Sequence, residues 1–365
     1  MAQVSDRDGT VYDARAKLLP ATARFVFNYS VGALLDGPHY CEEMAAHGIR
    51  HLERHHRDDR HGGYVWLLDG QDVADGGKRC YGHAFVLLAF ATAARAGVPG
   101  ARERIEPAFD LLDEHFWEDE YGRCRVELDR DWTGTSDYRG QNANMHTCEA
   151  FIAAYEATGE DAYLDRAYTI AENLARDLAD EGDGLLWEHY TTDWELDWEY
   201  NRHQPAHLFR PWGYQPGHLL EWAKLLCTLH EHRGDDWLVE RAAHFFDAAV
   251  EHGWDDDRGG LVYNFDRDGD PLVENKYYWP LCEGVGATAL LADRFDDERY
   301  REWYDRIWAY ALEHAVNDRY GNWYFQLTPD NEVATEAIDD TPEVKVGYHQ
   351  INAIYETLRA DELVE

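Results

Sequence analysis

Lysine is almost missing from this chain. Five lysines, at positions 17, 78, 224, 276 and 345, stand against 72 acidic residues, and all basic residues together number 34. The net charge of −38 repels phosphate backbones and anionic bilayers, which excludes nucleic acid and membrane surfaces as partners. Long apolar runs are missing too: none reaches the roughly 18 residues a membrane helix needs, and Met1–Thr10 is polar, without the apolar segment of a secretory signal. The six cysteines (41, 80, 124, 148, 227 and 282) include no CxxC pair, so they read as buried free thiols of a cytoplasmic protein. No P-loop, GxGxxG, GxSxG or HExxH spacing occurs, which argues against nucleotide, hydrolase-elbow and zincin chemistry.

What the chain has in quantity is aromatic and apolar surface: 14 Trp, 23 Tyr and 13 Phe within a 45% hydrophobic composition. That content is incompatible with a disordered acidic chain. It fits a folded, halophilic protein whose self-repulsion is screened by a salt-rich cytoplasm.

The organisation is repetitive. Glycine-marked turns at Gly63, Gly122, Gly184, Gly260 and Gly321 follow one another at spacings of 59, 62, 76 and 61 residues. Such periodicity signals a repeat architecture. Before each turn lies an amphipathic stretch of helical period: His39–Arg57, Ala101–Phe116, Asp161–Ala179, Asp235–His252 and Glu298–His314. After each comes a short aromatic segment that reads as a β-hairpin or long loop. A more apolar helix follows, at Cys80–Ala96, Asn142–Thr158, Pro216–His232, Tyr278–Arg294 and Val346–Arg359, and Val11–Leu35 supplies a sixth. Helices apolar on most sides are buried, so these form the inner ring. The expected fold is all-α, an (α/α)6 toroid with hairpins on the active-site side and one outer helix short at its N-terminal seam. Residues 1–365 read as one domain, with an open solenoid as the competing architecture.

If the inner helices are parallel, their first turns face one mouth. Tyr81 and His83, Asn142, Asn144 and His146, His218 and Glu221, Trp279 and Glu283, and Tyr348 and His349 fall there, with Arg24 on the first inner helix. Any single histidine of the 19 is most simply a surface or satisfied core residue. Histidines recurring at helix starts in separate repeats are another matter: the helix dipole lowers an imidazole's pKa and suits it to act as a neutral general base. His218 and Glu221, three apart on one helix face, can touch, so Glu221 is expected to fix the His218 tautomer. Trp66, Trp187, Trp212, Trp279 and Trp323 are candidate sugar platforms. Lys78, Lys276 and Lys345, each just before an inner helix, are expected to tie loops to helices. Several histidines and a glutamate leave a zinc site open, and Glu221 with Glu283 or Glu188 leaves a glycosidase pair open.

Three blocks carry a resemblance. Tyr138-Arg139-Gly140-Gln141-Asn142-Ala143-Asn144-Met145-His146 followed by Glu149-Ala150-Phe151, then Pro205-Ala206-His207-Leu208-Phe209-Arg210 with Pro216-Gly217-His218 and Glu221-Trp222, and Trp279-Pro280 with Glu283, resemble the N-acylglucosamine 2-epimerase superfamily. Within it the chain is most similar to the aldose–ketose isomerases that act on mannose and on sulfoquinovose. The resemblance implies a monosaccharide substrate, no cofactor and no metal, in a monomer or homodimer. It implies His218 and His349 as the acid–base pair and His146 as an aid to ring opening. Arg24, Tyr81, Asn142, Glu221, Trp279, Glu283 and Gln326 would then bind or orient the sugar. Tyr278 departs from the pattern, standing where an Arg or Trp is often found. On this reading a proton passes between C2 and C1 of an open-chain aldose through a cis-enediolate, whose charge Arg24 offsets. Its return to the other face of C2 would make the same site a 2-epimerase.

Overall fold

The computed structural model of the chain describes residues 3–334 and 347–361. Among them six apolar helices, α1 (Leu19–Leu34), α3 (Cys80–Arg95), α5 (Gln141–Thr158), α8 (Pro216–Arg233), α10 (Tyr278–Phe295) and α12 (Tyr348–Ala360), pack side by side in chain order, and α12 returns against α1 to close the ring. Closure, not an open solenoid, is the outcome. Each of the first five carries an amphipathic helix outside it: α2 (Tyr40–His51), α4 (Ile105–His115), α6 (Asp161–Ala171), α9 (Asp236–Gly253) and α11 (Glu298–Tyr310). A single further turn, α7 (Ala179–Glu181), prolongs α6 through a π-helical segment. The fold is the (α/α)6 toroid, with six inner and five outer helices among the described residues and the gap at the seam between α12 and α1.

The N-terminal expectation needs correction. Residues 11–18 do not continue the first inner helix but form strands Val11–Asp13 and Ala16–Leu18. The helix opens at Leu19 with Pro20 in its first turn, where a missing N–H costs nothing. The last inner helix starts at Tyr348, and Val346 and Lys345 lie outside the described residues.

The turn segments pair in two ways. True hairpins join Leu67–Asp69 to Asp72–Asp75 and Asn264–Phe265 to Pro271–Val273. The second kind links successive repeats: the two residues ahead of an inner helix pair with the turn strand of the next repeat. Lys78–Arg79 pairs with Glu127–Leu128, Arg139–Gly140 with His189–Tyr190, and Lys276–Tyr277 with Gln326–Leu327. These pairings fix the starts of α3, α5 and α10 at one rim. Lys78 reinforces it by donating to Asp58 (3.2 Å) and the Gly62 carbonyl, and Lys276 by donating to Asp255 (2.8 Å) and Asn331. All six cysteines are buried and unpaired. No helix among the described residues is long and apolar enough to cross a membrane.

Candidate active site

The rim surrounds a pocket of about 670 Å³, open mouth included, lined by Arg24, Tyr81, Asn142, His146, His218, Glu221, Trp279 and His349. Eight residues singled out in the sequence therefore share one wall-to-wall space. The histidines do not occupy one repeat position, as expected, but four: His349 is second in α12, His218 third in α8, His83 fourth in α3 and His146 sixth in α5. His83 is spent on structure, with Nδ1 against the Arg79 carbonyl and Nε2 accepting the Tyr64 N–H. Asn144 likewise bonds both backbone groups of Cys124.

The indole of Trp279 stands between two imidazoles, its centroid 5.1 Å from that of His218 and 5.9 Å from that of His349. Gly217 makes room for it, since a Cβ there would lie 2.3 Å from the indole. Each imidazole is backed by a carboxylate. The Nδ1 of His349 lies 2.6 Å from Glu283 Oε1, and the Nδ1 of His218 lies 2.7 Å from Glu188 Oε1. Gln141 accepts the Trp222 indole N–H, so its amide nitrogen must face Glu188 (3.0 Å) and His218. At His349 the Glu283 carboxylate only accepts, which puts the proton on Nδ1 and leaves Nε2 bare. At His218, where Nδ1 also lies 2.8 Å from the Gln141 amide nitrogen, the nearer Glu188 carboxylate favours the same tautomer.

Glu188 thus does what Glu221 was expected to do. Glu221 turns from His218 toward His146, 3.7 Å from its Nδ1, and its Oε1 finds no hydrogen-bond partner among the described residues. Burial, reinforced by Glu283, raises the Glu221 carboxyl well above the usual range, which favours its protonated form. Glu283 is 1% exposed and lies behind His349 instead of on the pocket surface. Burial opposes its ionisation, yet the Lys224 ammonium at 2.6 Å, and then His349, hold it down to about 2. Burial pushes the His349 ring down to about 4 and lowers His146, each against the pull of its own glutamate, Glu283 and Glu149. Arg24 donates to the Tyr81 hydroxyl (2.8 Å) with its guanidinium over the Phe85 and Tyr348 rings. Asn142 Oδ1 finds no hydrogen-bond partner among the described residues.

Gln326 does not line this pocket. It pairs with Tyr277 in the rim ladder, and its neighbour Phe325 lines the pocket instead. Of the five tryptophans only Trp279 lines it. Trp187 is fully buried among Trp198, Trp212 and Tyr214. Leu208 and Phe209, from the third turn segment, close the mouth with Gln215 and Tyr278.

Two groups, His146–Glu149–Glu221 and Glu221–Glu283–His349, bring donor atoms close enough to hold a cation. Their chemistry points elsewhere: the two Nδ1 atoms face carboxylates, and Glu283 already has an ammonium partner. The donor set fits a proton network better than a metal.

Glu188→Gln tests the tautomer assignment. An amide can offer its N–H to Nδ1, turning the ring over to the form with no lone pair on Nε2, and turnover is expected to fall by at least about a hundredfold. An unchanged kcat with an intact fold would separate Glu188 from the chemistry.

The model of the N-acylglucosamine 2-epimerase family matches residues 2–353. A D-mannose isomerase of Marinomonas mediterranea is 41% identical over 96% of this chain and 89% of its own length. One from Thermobifida fusca is 42% identical over 81% of this chain and 74% of its own. The crystal structure of a D-mannose isomerase superposes with a TM-score of 0.93 at 40% identity, covering 98% of this chain and 91% of the other.

Proposed function

We propose, for a chain that belongs to the N-acylglucosamine 2-epimerase family, the activity of an aldose–ketose isomerase that interconverts mannose and fructose without a cofactor. The chain is an isomerase by its relationship to proteins of that activity at up to 42% identity. The observation that carries the finer reading is the pair of imidazoles flanking Trp279, each with Nδ1–H on a glutamate and Nε2 bare.

A hexose in this pocket would rest against the indole, with C1 and C2 between His218 and His349. The C2 proton is weakly acidic, and its removal by a bare Nε2 becomes feasible only if the enediolate oxygens are stabilised. Arg24 supplies positive charge, and Glu221, whose carboxyl burial and Glu283 push toward its protonated form, can offer a hydrogen-bond donor beside it. His146, backed by Glu149, would take the O1 hydroxyl proton on Nε2 and return it to the ring oxygen as the pyranose opens. Delivery of the proton to C1 yields the ketose; delivery to the opposite face of C2 yields the epimeric aldose. We keep 2-epimerisation as the second reading, because the family's own description names that outcome. The acidic composition and unpaired cysteines favour a salt-rich cytoplasm as its place of work.

The deciding experiment incubates the protein with mannose in high salt and resolves the products. Fructose as the main product, unaffected by a chelator, is expected. Glucose as the main product would establish the epimerase reading, and loss with EDTA restored by zinc would establish the metal reading.

A further inference from the structure

Lys224 takes no part in the steps above, yet it is the only lysine in a helix among the described residues and is 2% exposed. A buried ammonium is retained only when its charge is met. Its Nζ donates to Glu283 Oε2, whose other oxygen accepts from His349, so the three form one line from the core of the ring to the pocket. Glu221 on its own helix, Glu149 from α5 and Glu356 from α12 also face the ammonium. Burial opposes its charge, and Glu283, then Glu221 and Glu149, more than offset that.

The two imidazoles of the pocket are backed unequally. Glu188, behind His218, is held by the neutral Gln141 amide, whereas Glu283, behind His349, faces a full positive charge. A carboxylate already neutralised by an ammonium stabilises an adjacent imidazolium far less than a free one. We propose that Lys224 is a positioning residue that cancels the charge of Glu283, and so keeps His349 an uncharged imidazole with its bare Nε2 toward the sugar. The remaining groups around His349 are Arg24 from α1, His146 from α5, Glu221 from α8 and the rings of Tyr278, Trp279 and Tyr348. Burial disfavours charge on the ring most and Arg24 and His146 add to it, while the Glu283 carboxylate opposes them, so its neutralisation by Lys224 tips the balance.

The sign of the effect follows. In Lys224→Met the pair of Glu283 and His349 keeps one uncancelled negative charge and takes up a proton at higher pH. Whether that proton sits on the ring or on the carboxyl, the competent form is lost: a charged ring has no base, and a protonated Glu283 donates to Nδ1 and turns the tautomer over. The acid limb of kcat/KM is expected to move up by about one pH unit or more. Lys224→Met/Glu283→Gln removes both charges together, folds without an unpaired ion, and is expected to return the limb to its wild-type position at reduced kcat.

The experiment records pH profiles of mannose turnover for wild type, the single and the double variant, and titrates the His349 ring by NMR in each folded protein. The inference rests on the isomerase reading, and the NMR arm keeps the two apart: a wild type inert on mannose would sink that reading and leave the titration to decide this one. A ring that stays neutral to about pH 5 in wild type and in the double variant, and charges earlier in the single, supports it. A folded Lys224→Met with the limb and titration unmoved overturns it. So does a double variant displaced in the way the single is. Should the single variant not fold, a wild-type His349 that charges above pH 5 overturns it, and one that stays neutral, as in a folded double variant, supports it.

Discussion

Replacing His218 or His349 by alanine is expected to lower kcat/KM for the sugar by about a hundred- to ten-thousand-fold, the range a placed acid–base group supplies. The size of the loss is credible because neither removal leaves a buried ion alone. Without His349, Glu283 still faces the Lys224 ammonium; without His218, Glu188 still accepts from Gln141. Thermal unfolding should therefore move little, and circular dichroism should match wild type. The pair is also expected to be non-additive. If both rings serve one proton transfer, the double variant should be little worse than either single one, as for residues that act as a unit. Near-normal turnover in both single variants would remove the acid–base assignment altogether.

How far this site was legible in the sequence depends on which contacts are local. Glycine-marked turns and apolar helix starts place Tyr81, Asn142, His146, His218, Trp279 and His349 at one rim, because a helix start is a local signal and ring closure brings the starts together. The partners of those residues are long-range. His218 and Glu221 do lie on neighbouring turns of α8, but the ring rotates toward a residue 30 positions earlier, on the turn segment that precedes α8. A signal for that residue does exist. Four residues beyond the turn glycine the repeats carry Leu67, Val126, Asn264 and Phe325, and in the third repeat Glu188, a charge where the others are neutral. Lys224 is similar: at its place in α3, α5 and α10 stand Leu88, Glu149 and Gly286, so an ammonium deep in an apolar helix was visible as an anomaly. Its purpose was not, because only packing shows which carboxylate it meets. Gln326 was carried on resemblance alone, and the period-two alternation of its strand sends it away from the pocket and Phe325 into it.

The far end of the ring has its own clamp, and it sets the largest stability effect expected of any single residue. Glu156 near the end of α5 accepts from Arg95 of α3 (2.7 Å), His232 of α8 (3.2 Å) and Arg359 of α12 (2.8 Å), so one carboxylate ties four inner helices across the end of the ring. Burial would raise its pKa, but Arg359, His232 and Arg95 hold it down to about 2. Glu156→Ala removes a shared carboxylate from two largely buried guanidinium groups, of which Arg359 keeps Glu231 and Glu356, and is expected to cost roughly 2–4 kcal/mol, read by chemical denaturation. Arg359→Met should cost less, because Glu156 keeps Arg95 and His232. The pH dependence has a definite sign. A carboxyl whose folded pKa lies below its ordinary 4.5 stabilises the fold above that value and loses its contribution as pH falls toward about 2. Wild type should therefore weaken across that window, by about 3 kcal/mol from this group, and Glu156→Ala should weaken less. The pocket is at the opposite rim, so kcat of the folded variant at low temperature should stay close to wild type. Parallel loss of kcat and stability would instead mean that the seam between α12 and α1 must be closed for His349 to stand opposite His218.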